Sequence, residues 1–162
     1  MAASERCVVQ LAVDSHTIRL WEGESTEYEK TYRLTVDRSR PVFLSLPPWY
    51  APGLGYHEGR LAIWSGMKLC FYDCATGNLS SFDMDDEVHV AYGVGDRWCL
   101  VCELSVMLFD AQLGQEVAAY HHNEVLLESW WASGRLFVED FERRRLQFDF
   151  SQAGSELVPV EG

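Results

Sequence analysis

Four of the five cysteines have a spacing that could bind zinc. Cys70 and Cys74 form a Cys-x3-Cys pair, and Cys99 and Cys102 form a Cys-x2-Cys pair. A structural zinc site needs a turn between the paired ligands. The second pair instead encloses the apolar run CLVC, which favours a strand and would direct Cys99 and Cys102 to opposite faces. Because buried cysteine behaves as a small hydrophobic residue, we predict core positions for all four, with no metal and no other cofactor.

Three histidines could serve a small-ligand or catalytic site, since imidazole titrates near neutral pH. His121 and His122 follow the run AAY, and His57 follows GLGY. No cysteine nucleophile, serine elbow or phosphate-binding glycine loop stands beside the adjacent pair in the sequence. A solvated loop is the simpler interpretation of that pair. A ligand-binding or enzymatic role of the three histidines is the alternative.

The densest charge in the chain is the acidic run DMDDE at residues 83–87. The whole chain has 25 acidic and 13 basic residues and a formal net charge of −12. Nucleic acid and anionic lipid bind through Lys and Arg, so this charge argues against both as partners. Clustered acids speed docking to a basic surface. A solvated loop is the alternative interpretation, but we predict that the run steers a basic protein partner through Asp83, Asp85, Asp86 and Glu87.

The aromatic pair Trp49 and Tyr50 lies in a proline-rich stretch, PVFLSLPPWYAPGLGY, at residues 41–56. Its four prolines interrupt regular structure, so we predict a long loop. Exposed Trp and Tyr are typical interface hot spots. The pair is therefore expected either to pack against the domain or to bind a partner.

A repeated element must position all of these candidates. Residues 59–82, GRLAIWSGMKLCFYDCATGNLSSF, align without a gap with residues 96–119 at an offset of 37. A third copy runs from Gly134 to Gly154 at offsets of 38 to 40, and its extra residues fall in turns, which tolerate insertions. Each copy alternates short strands with tight turns such as Ser65-Gly66. Four short strands in about 37 residues is the period of a β-propeller blade.

The three copies, at Gly59–Gly77, Asp96–Gly114 and Gly134–Gly154, resemble the blades of WD-repeat and quinoprotein-type β-propellers. The resemblance implies buried aromatic residues between adjacent sheets, aspartates that begin a turn, and glycines with positive φ in that turn. The aromatics are Tyr72, Phe109 and Phe148; the aspartates are Asp73, Asp110 and Asp149; the glycines are Gly77, Gly114 and Gly154. The chain has no Trp-Asp dipeptide or Gly-His pair at the usual places, so the resemblance implies no binding residue.

We therefore predict an all-β fold of antiparallel, blade-like repeats in a single domain, either closed into a small propeller or stacked openly. The four predicted units cover residues 7–36, 56–83, 88–120 and 125–160, with the proline-rich loop at 41–56. In the third strand of the last unit, Arg145 and Gln147 occupy a face that is apolar in the two preceding units. A polar face is typical of a terminal repeat.

The first ten residues, MAASERCVVQ, contain no basic segment followed by a long apolar run. We therefore expect neither a secretory signal nor a membrane span, a cytoplasmic location and free thiols. The predicted function is a non-enzymatic protein–protein interaction module. Its sharper form is an acidic inhibitor, or immunity-type protein, that binds a basic partner. The alternatives are a ligand-binding or enzymatic propeller-like domain, and a structural subunit that completes a propeller with another chain or by self-association.

Overall fold

The computed structural model describes residues 5–152 and 157–160. Within them, fifteen strands form four antiparallel sheets of three or four strands, and one short 3-10 helix follows the last strand. In every sheet the strands are hydrogen-bonded in chain order, as expected when each strand turns directly into the next. The predicted all-β fold of antiparallel repeats is confirmed. The chain divides into two compact units, residues 1–83 and 84–162; the single domain stays a prediction.

The first unit contains sheets 1 and 2. Sheet 1 consists of β1 (Arg6–Val13), β2 (His16–Ser25), β3 (Lys30–Val36) and β4 (Val42–Leu46). Sheet 2 consists of β5 (Gly53–His57), β6 (Arg60–Ser65), β7 (Lys68–Asp73) and β8 (Leu79–Asp83). Their facing sides alternate with a period of two and share one core, to which sheet 1 contributes Ile18, Leu20 and Leu34, and sheet 2 contributes Leu61 and Ile63.

The second unit contains sheets 3 and 4. Sheet 3 consists of β9 (Val88–Val94), β10 (Arg97–Cys102), β11 (Ser105–Asp110) and β12 (Gln115–His121). Sheet 4 consists of β13 (Leu126–Ala132), β14 (Arg135–Asp140) and β15 (Arg145–Phe148), followed by the 3-10 helix Phe150–Gln152. Val101 and Leu108 of sheet 3 share a core with Leu136, Val138 and Phe148 of sheet 4.

The prediction of a long loop at residues 41–56 is wrong. Strand β4 begins directly after Pro41, and β5 begins directly after Pro52. Each proline of the stretch lies outside a strand, where its missing N–H breaks no ladder hydrogen bond. The prolines thus mark strand ends, and the connecting loop shrinks to residues 47–52, which still carry Trp49 and Tyr50.

The repeated aspartates and glycines have the predicted role. The carboxylates of Asp73 and Asp110 each accept hydrogen bonds of 2.8–3.2 Å from the backbone amides two and three residues later. Gly77 and Gly114 close these turns with φ of +75° and +67°. Asp149 also begins a turn, accepting the Ser151 amide at 3.0 Å. The third glycine, at position 154, lies outside the described residues.

The aromatic residues of the repeat and the polar terminal face also match the prediction. Tyr72, Phe109 and Phe148 are all buried. On the opposite face, Leu69 with Phe71 and Val106 with Leu108 are buried too. At the equivalent positions of sheet 4, Arg145 is exposed and Gln147 is half-buried. These two positions of sheet 4 are therefore polar, although Trp130 and Phe137 stack on the same face.

Candidate protein-interaction surface

The connections between strands lie at the two opposite ends of the strands in each sheet, and we call each of these ends an edge of the sheet. In a four-stranded antiparallel sheet, the turn between the second and third strands shares an edge with the connection to the next sheet. We call this edge the loop edge, made of residues 26–29, 47–52, 66–67, 84–87, 103–104, 122–125 and 141–144. The turn edge comprises the other connections, at residues 14–15, 37–41, 58–59, 74–78, 95–96, 111–114, 133–134 and 149–152.

Large apolar side chains are exposed at the loop edge of every sheet. They are Tyr28 (70% exposed), Trp49 (69%), Tyr50 (40%), Met67 (53%), Leu104 (43%) and Phe141 (65%). Among the described residues of the turn edge, one large apolar side chain is comparably exposed, Leu113 at 68%. Tight turns favour Gly, Asn, Asp, Ser and Pro, so an apolar residue at a turn tip gains nothing for the fold.

Three of these residues lie in the same turn of the repeat, the one between the second and third strands of a sheet. Met67 and Leu104 are equivalent at the offset of 37, whereas Phe141 is the first residue of the corresponding turn in the third copy, whose offset is 38. Sequence reasoning missed them: the predicted turn Ser65-Gly66 placed Met67 at the start of the following strand, whereas the structure begins that strand at Lys68. Within the second unit, Leu104 and Phe141 lie in turns of two successive sheets, and their exposure makes them candidates for contact with another protein.

The structure separates the predicted pair Trp49 and Tyr50. The Tyr50 ring lies against Gly66, so closely that a Cβ atom at Gly66 would stand 2.6 Å from Cδ2 of the ring. The Ser65 hydroxyl donates to the Tyr50 carbonyl at 3.2 Å. Tyr50 therefore anchors the loop to the β6–β7 turn, while Trp49 beside it extends into solvent.

The acidic run is also divided by its contacts. Asp86 is internal: its Oδ2 accepts the Leu104 amide at 3.0 Å and the buried Ser105 hydroxyl at 2.7 Å. Asp85 is exposed, and Glu87 is half-buried. Asp83, at the end of β8, is exposed and pairs with Lys68 at 3.1 Å. Thus Asp86 holds the β10–β11 turn, whereas Asp83, Asp85 and Glu87 keep carboxylates that could meet a partner.

His122 lies in a hydrogen-bonded network that sequence reasoning missed. Its Nε2 is 2.9 Å from Oδ2 of the fully buried Asp140, and its Nδ1 is 2.9 Å from the Tyr120 hydroxyl. Arg144 Nε donates to the same Asp140 oxygen at 3.0 Å. The other oxygen of Asp140 accepts the amides of Glu142 and Arg144, both at 2.9 Å. An aspartate at a strand end predicts the turn contacts, but no local pattern connects it to a histidine eighteen residues earlier.

This network stabilises the fold. Burial tends to raise the pKa of Asp140, but the hydrogen bonds from His122 and Arg144 outweigh it and lower the pKa to about 2. The carboxylate accepts four bonds, which fill its acceptor sites, and both ring nitrogens of His122 are engaged. The arrangement therefore fixes the loop before β13 to the β14–β15 turn.

The other two histidines are placed differently. His121, the last residue of β12, is exposed. His57 ends β5 in the first unit, with Nε2 at 3.8 Å from Glu58 Oε2. The structure thus gives neither histidine a place in the Asp140 network, and their proposed ligand role stays a prediction.

The cysteines occupy the core positions expected of them. Cys70, Cys99 and Cys102 are buried, and Cys74 is half-buried. Burial raises the pKa of the Cys102 thiol to about 12 and also raises that of Cys99, which makes both thiolates unfavourable. Across residues 5–152 and 157–160, no group of three or more His, Cys, Asp or Glu side chains is arranged to hold a metal ion.

The fold is similar to that of known β-propellers. The chain matches the WD40 domain of Toxoplasma gondii coronin with a TM-score of 0.58 and 10% identity, over 98% of this chain and 50% of that one. It matches BamB from Moraxella catarrhalis with a TM-score of 0.64 and 11% identity, over 89% and 44%. The WD40 domain of Neurospora crassa Pan2 gives a TM-score of 0.55 and 11% identity, over 95% and 51%.

These likenesses describe the fold alone, which is β-propeller-like. The chain spans about half the length of the structures it matches. No protein-family model and no curated protein matches its sequence. In the part of the chain that the structure describes, no helix is long and apolar enough to span a membrane.

Proposed function

We propose that this protein is a non-enzymatic interaction module that binds a basic protein partner through the loop edges of its sheets. The observation that carries the proposal is the repeated exposure of a large apolar side chain at these edges, from Tyr28 to Phe141. Such side chains supply most of the binding energy in protein interfaces when they enter pockets of a partner.

The charge of the loop edge supports a basic partner. Its segments contain eight acidic residues and two arginines. Of these acids, Asp86 is committed to the β10–β11 turn, but Glu27, Glu29 and Asp85 are exposed. A surface with apolar anchors and an acidic surround favours a partner with Lys and Arg around apolar pockets, because complementary charge raises the association rate. In its sharper form, the protein is an acidic inhibitor of immunity type that covers the basic working surface of its partner.

Charge reversal tests the proposal. Proteins retained by the immobilised chain at low salt are identified by mass spectrometry, purified, and measured for association rate at several salt concentrations. In the triple variant D83K/D85K/E87K we expect association about tenfold slower at low salt, with a weaker salt dependence. Asp86 stays unchanged in this variant because it holds the fold.

A matched variant separates local from overall charge. E58K/D96K/E116K reverses three exposed acids outside the loop edge and alters the net charge equally. It should associate nearly as fast as the unchanged protein. Equal slowing by the two triple variants would contradict a localised acidic surface, and retention of no basic protein would contradict the proposed function.

A further inference from the structure

Backbone hydrogen bonds join the loop-edge segments of the second unit. The Glu103 amide donates to the Glu87 carbonyl at 2.9 Å, and the His122 amide donates to the Leu104 carbonyl at 2.8 Å. The amides of Leu126 and Phe141 donate, each at 2.8 Å, to the carbonyls of Glu103 and Val125. We call the joined segments, residues 84–87, 103–104, 122–126 and 141, the bridged ribbon. Its segments lie at the strand ends of two sheets, and backbone hydrogen bonds join each segment to the next.

Side chains make the bridged ribbon more rigid. Within the bridged ribbon, the Asp86 carboxylate accepts hydrogen bonds from the Leu104 amide and the Ser105 hydroxyl, which joins residues 84–87 to the β10–β11 turn. The contact between His122 and Asp140 joins residues 122–126 to the end of β14. A surface that is ordered before binding loses little conformational entropy when a partner docks. The bridged ribbon is therefore better suited to present side chains than a solvated loop would be.

The bridged ribbon carries both apolar and acidic side chains. Leu104 and Phe141 are exposed at the two turns. Leu127, the extra residue of a bulge at the start of β13, is exposed just after the bridged ribbon. Asp85 is exposed, and Glu103 and Glu124 are half-buried on the bridged ribbon itself.

The neighbouring arginines are already paired. Arg144 contacts Asp140 at 3.0 Å and Glu142 at 3.2 Å, and Arg143 contacts Glu139 at 3.4 Å. They therefore neutralise acids of the β14–β15 turn, and the acids of the bridged ribbon keep their negative charge. An anionic lipid surface would be repelled by that charge.

We propose that the bridged ribbon is a preformed docking platform for a basic segment of a partner protein that carries apolar anchor residues. Leu104 and Phe141 contact the anchors, and Asp85, Glu103 and Glu124 pair with Lys or Arg between them. The inference rests on the proposed function and narrows its contact surface to the loop edge of the second unit, without Trp49 or Met67 of the first unit.

Synthetic peptides test the platform directly. The first is a twelve-residue peptide with two leucine anchors and four lysines; the second replaces the leucines by alanine, and the third replaces the lysines by glutamate. Each is titrated into the ¹⁵N-labelled protein, and amide shifts are followed by NMR. We expect the first peptide to shift the amides of the bridged ribbon and to bind at least about tenfold more tightly than the other two. Equal binding of all three, or no shift in the bridged ribbon, would overturn the proposal.

Paired variants keep the test specific. L104S/F141S should weaken binding of the first peptide at least about tenfold, and L113S, which changes an exposed leucine of the turn edge, should leave it unchanged. If the double variant does not fold, F141S alone replaces it, since Phe141 is largely exposed. Unchanged peptide binding in a folded variant would refute the platform. Peptide binding to the bridged ribbon without any basic protein partner would refute only the proposed function.

Discussion

The two edges of the sheets satisfy their polar groups in different ways. At the turn edge of sheets 2 and 3, the aspartate bonds are local: Asp73 and Asp110 accept the amides that follow them, and a glycine closes each turn. In sheet 1, Asp37 instead bonds to His16 and to the Thr17 amide of the neighbouring strand. At the loop edge of the second unit, the bonds run between segments that are distant in sequence, as between Asp86 and Leu104 or between His122 and Asp140.

This difference separates what the repeat needs for folding from what it presents to solvent. A turn that satisfies its own backbone can be copied along the chain without reference to its neighbours, and its small residues leave little to bind. Segments held by their neighbours keep their tips free for large side chains, and at these tips the chain places Met67, Leu104 and Phe141. The loop edge is accordingly the part of each sheet where function is expected to lie.

Replacing Asp140 should lower the thermal stability more than replacing an aspartate of the turn edge. D140N keeps the shape of the side chain but removes the charge that binds His122 and Arg144. We expect the Tm at pH 7 to fall by roughly 5–10 °C. The matched variant D110N, in a turn of the turn edge, should lower it much less. Thermal unfolding followed by circular dichroism measures both, and equal losses would show that the two edges depend on their aspartates alike.

The unchanged protein and D140N also provide a test by pH. The pKa of Asp140 is about 2 in the folded state and about 4 in an unfolded chain, so the unfolded state binds its proton first. The stability from the ionised carboxylate is complete above about pH 4 and is lost as the pH falls through about 2. The Tm difference between the unchanged protein and D140N should therefore be constant above pH 4 and shrink below it. A difference that is undiminished at pH 2 would contradict the network.

Two glycines offer a comparison of intermediate size. Gly66 at the loop edge and Gly59 at the turn edge both have positive φ, +57° and +80°. A Cβ atom at Gly59 meets nothing within 4 Å, whereas one at Gly66 meets the Tyr50 ring at 2.6 Å. G59A should cost about 1 kcal/mol of unfolding free energy from backbone strain alone. G66A should cost about 2–3 kcal/mol, because the ring must also move.

Urea unfolding measures both glycine variants. If they lose the same free energy, the Tyr50 ring does not anchor the loop at 47–52. If changing Tyr50 to alanine as well reduces the cost of G66A to that of G59A, the extra cost lies in the contact between the Cβ atom and the ring.

The sequence predicts the local features of the repeat and misses the contacts between segments that are distant in sequence. The offset of 37 residues was enough to predict the burial of Tyr72 and Phe109 and the turns begun by Asp73 and Asp110, because each is a local pattern repeated. The proline-rich stretch was misjudged, since prolines at strand ends look like prolines in a loop. The bond from His122 to Asp140 could not be predicted, because it depends on two sheets meeting and leaves no periodic signal.

The smallest effect on stability, and a clear effect on binding, is expected for Trp49. Trp49 and Leu113 are exposed to nearly the same degree, 69% and 68%, at opposite edges. W49S and L113S should each change the unfolding free energy by less than about 0.5 kcal/mol, because neither side chain is buried. Only W49S should weaken binding of the basic protein partner, by about tenfold, as the loss of an aromatic anchor would. Isothermal titration calorimetry against the purified partner measures the affinity of both variants. Equal weakening by W49S and L113S would mean that the partner contacts both edges. Unchanged affinity in W49S would show that Trp49 is not in the interface, which would then depend on the bridged ribbon.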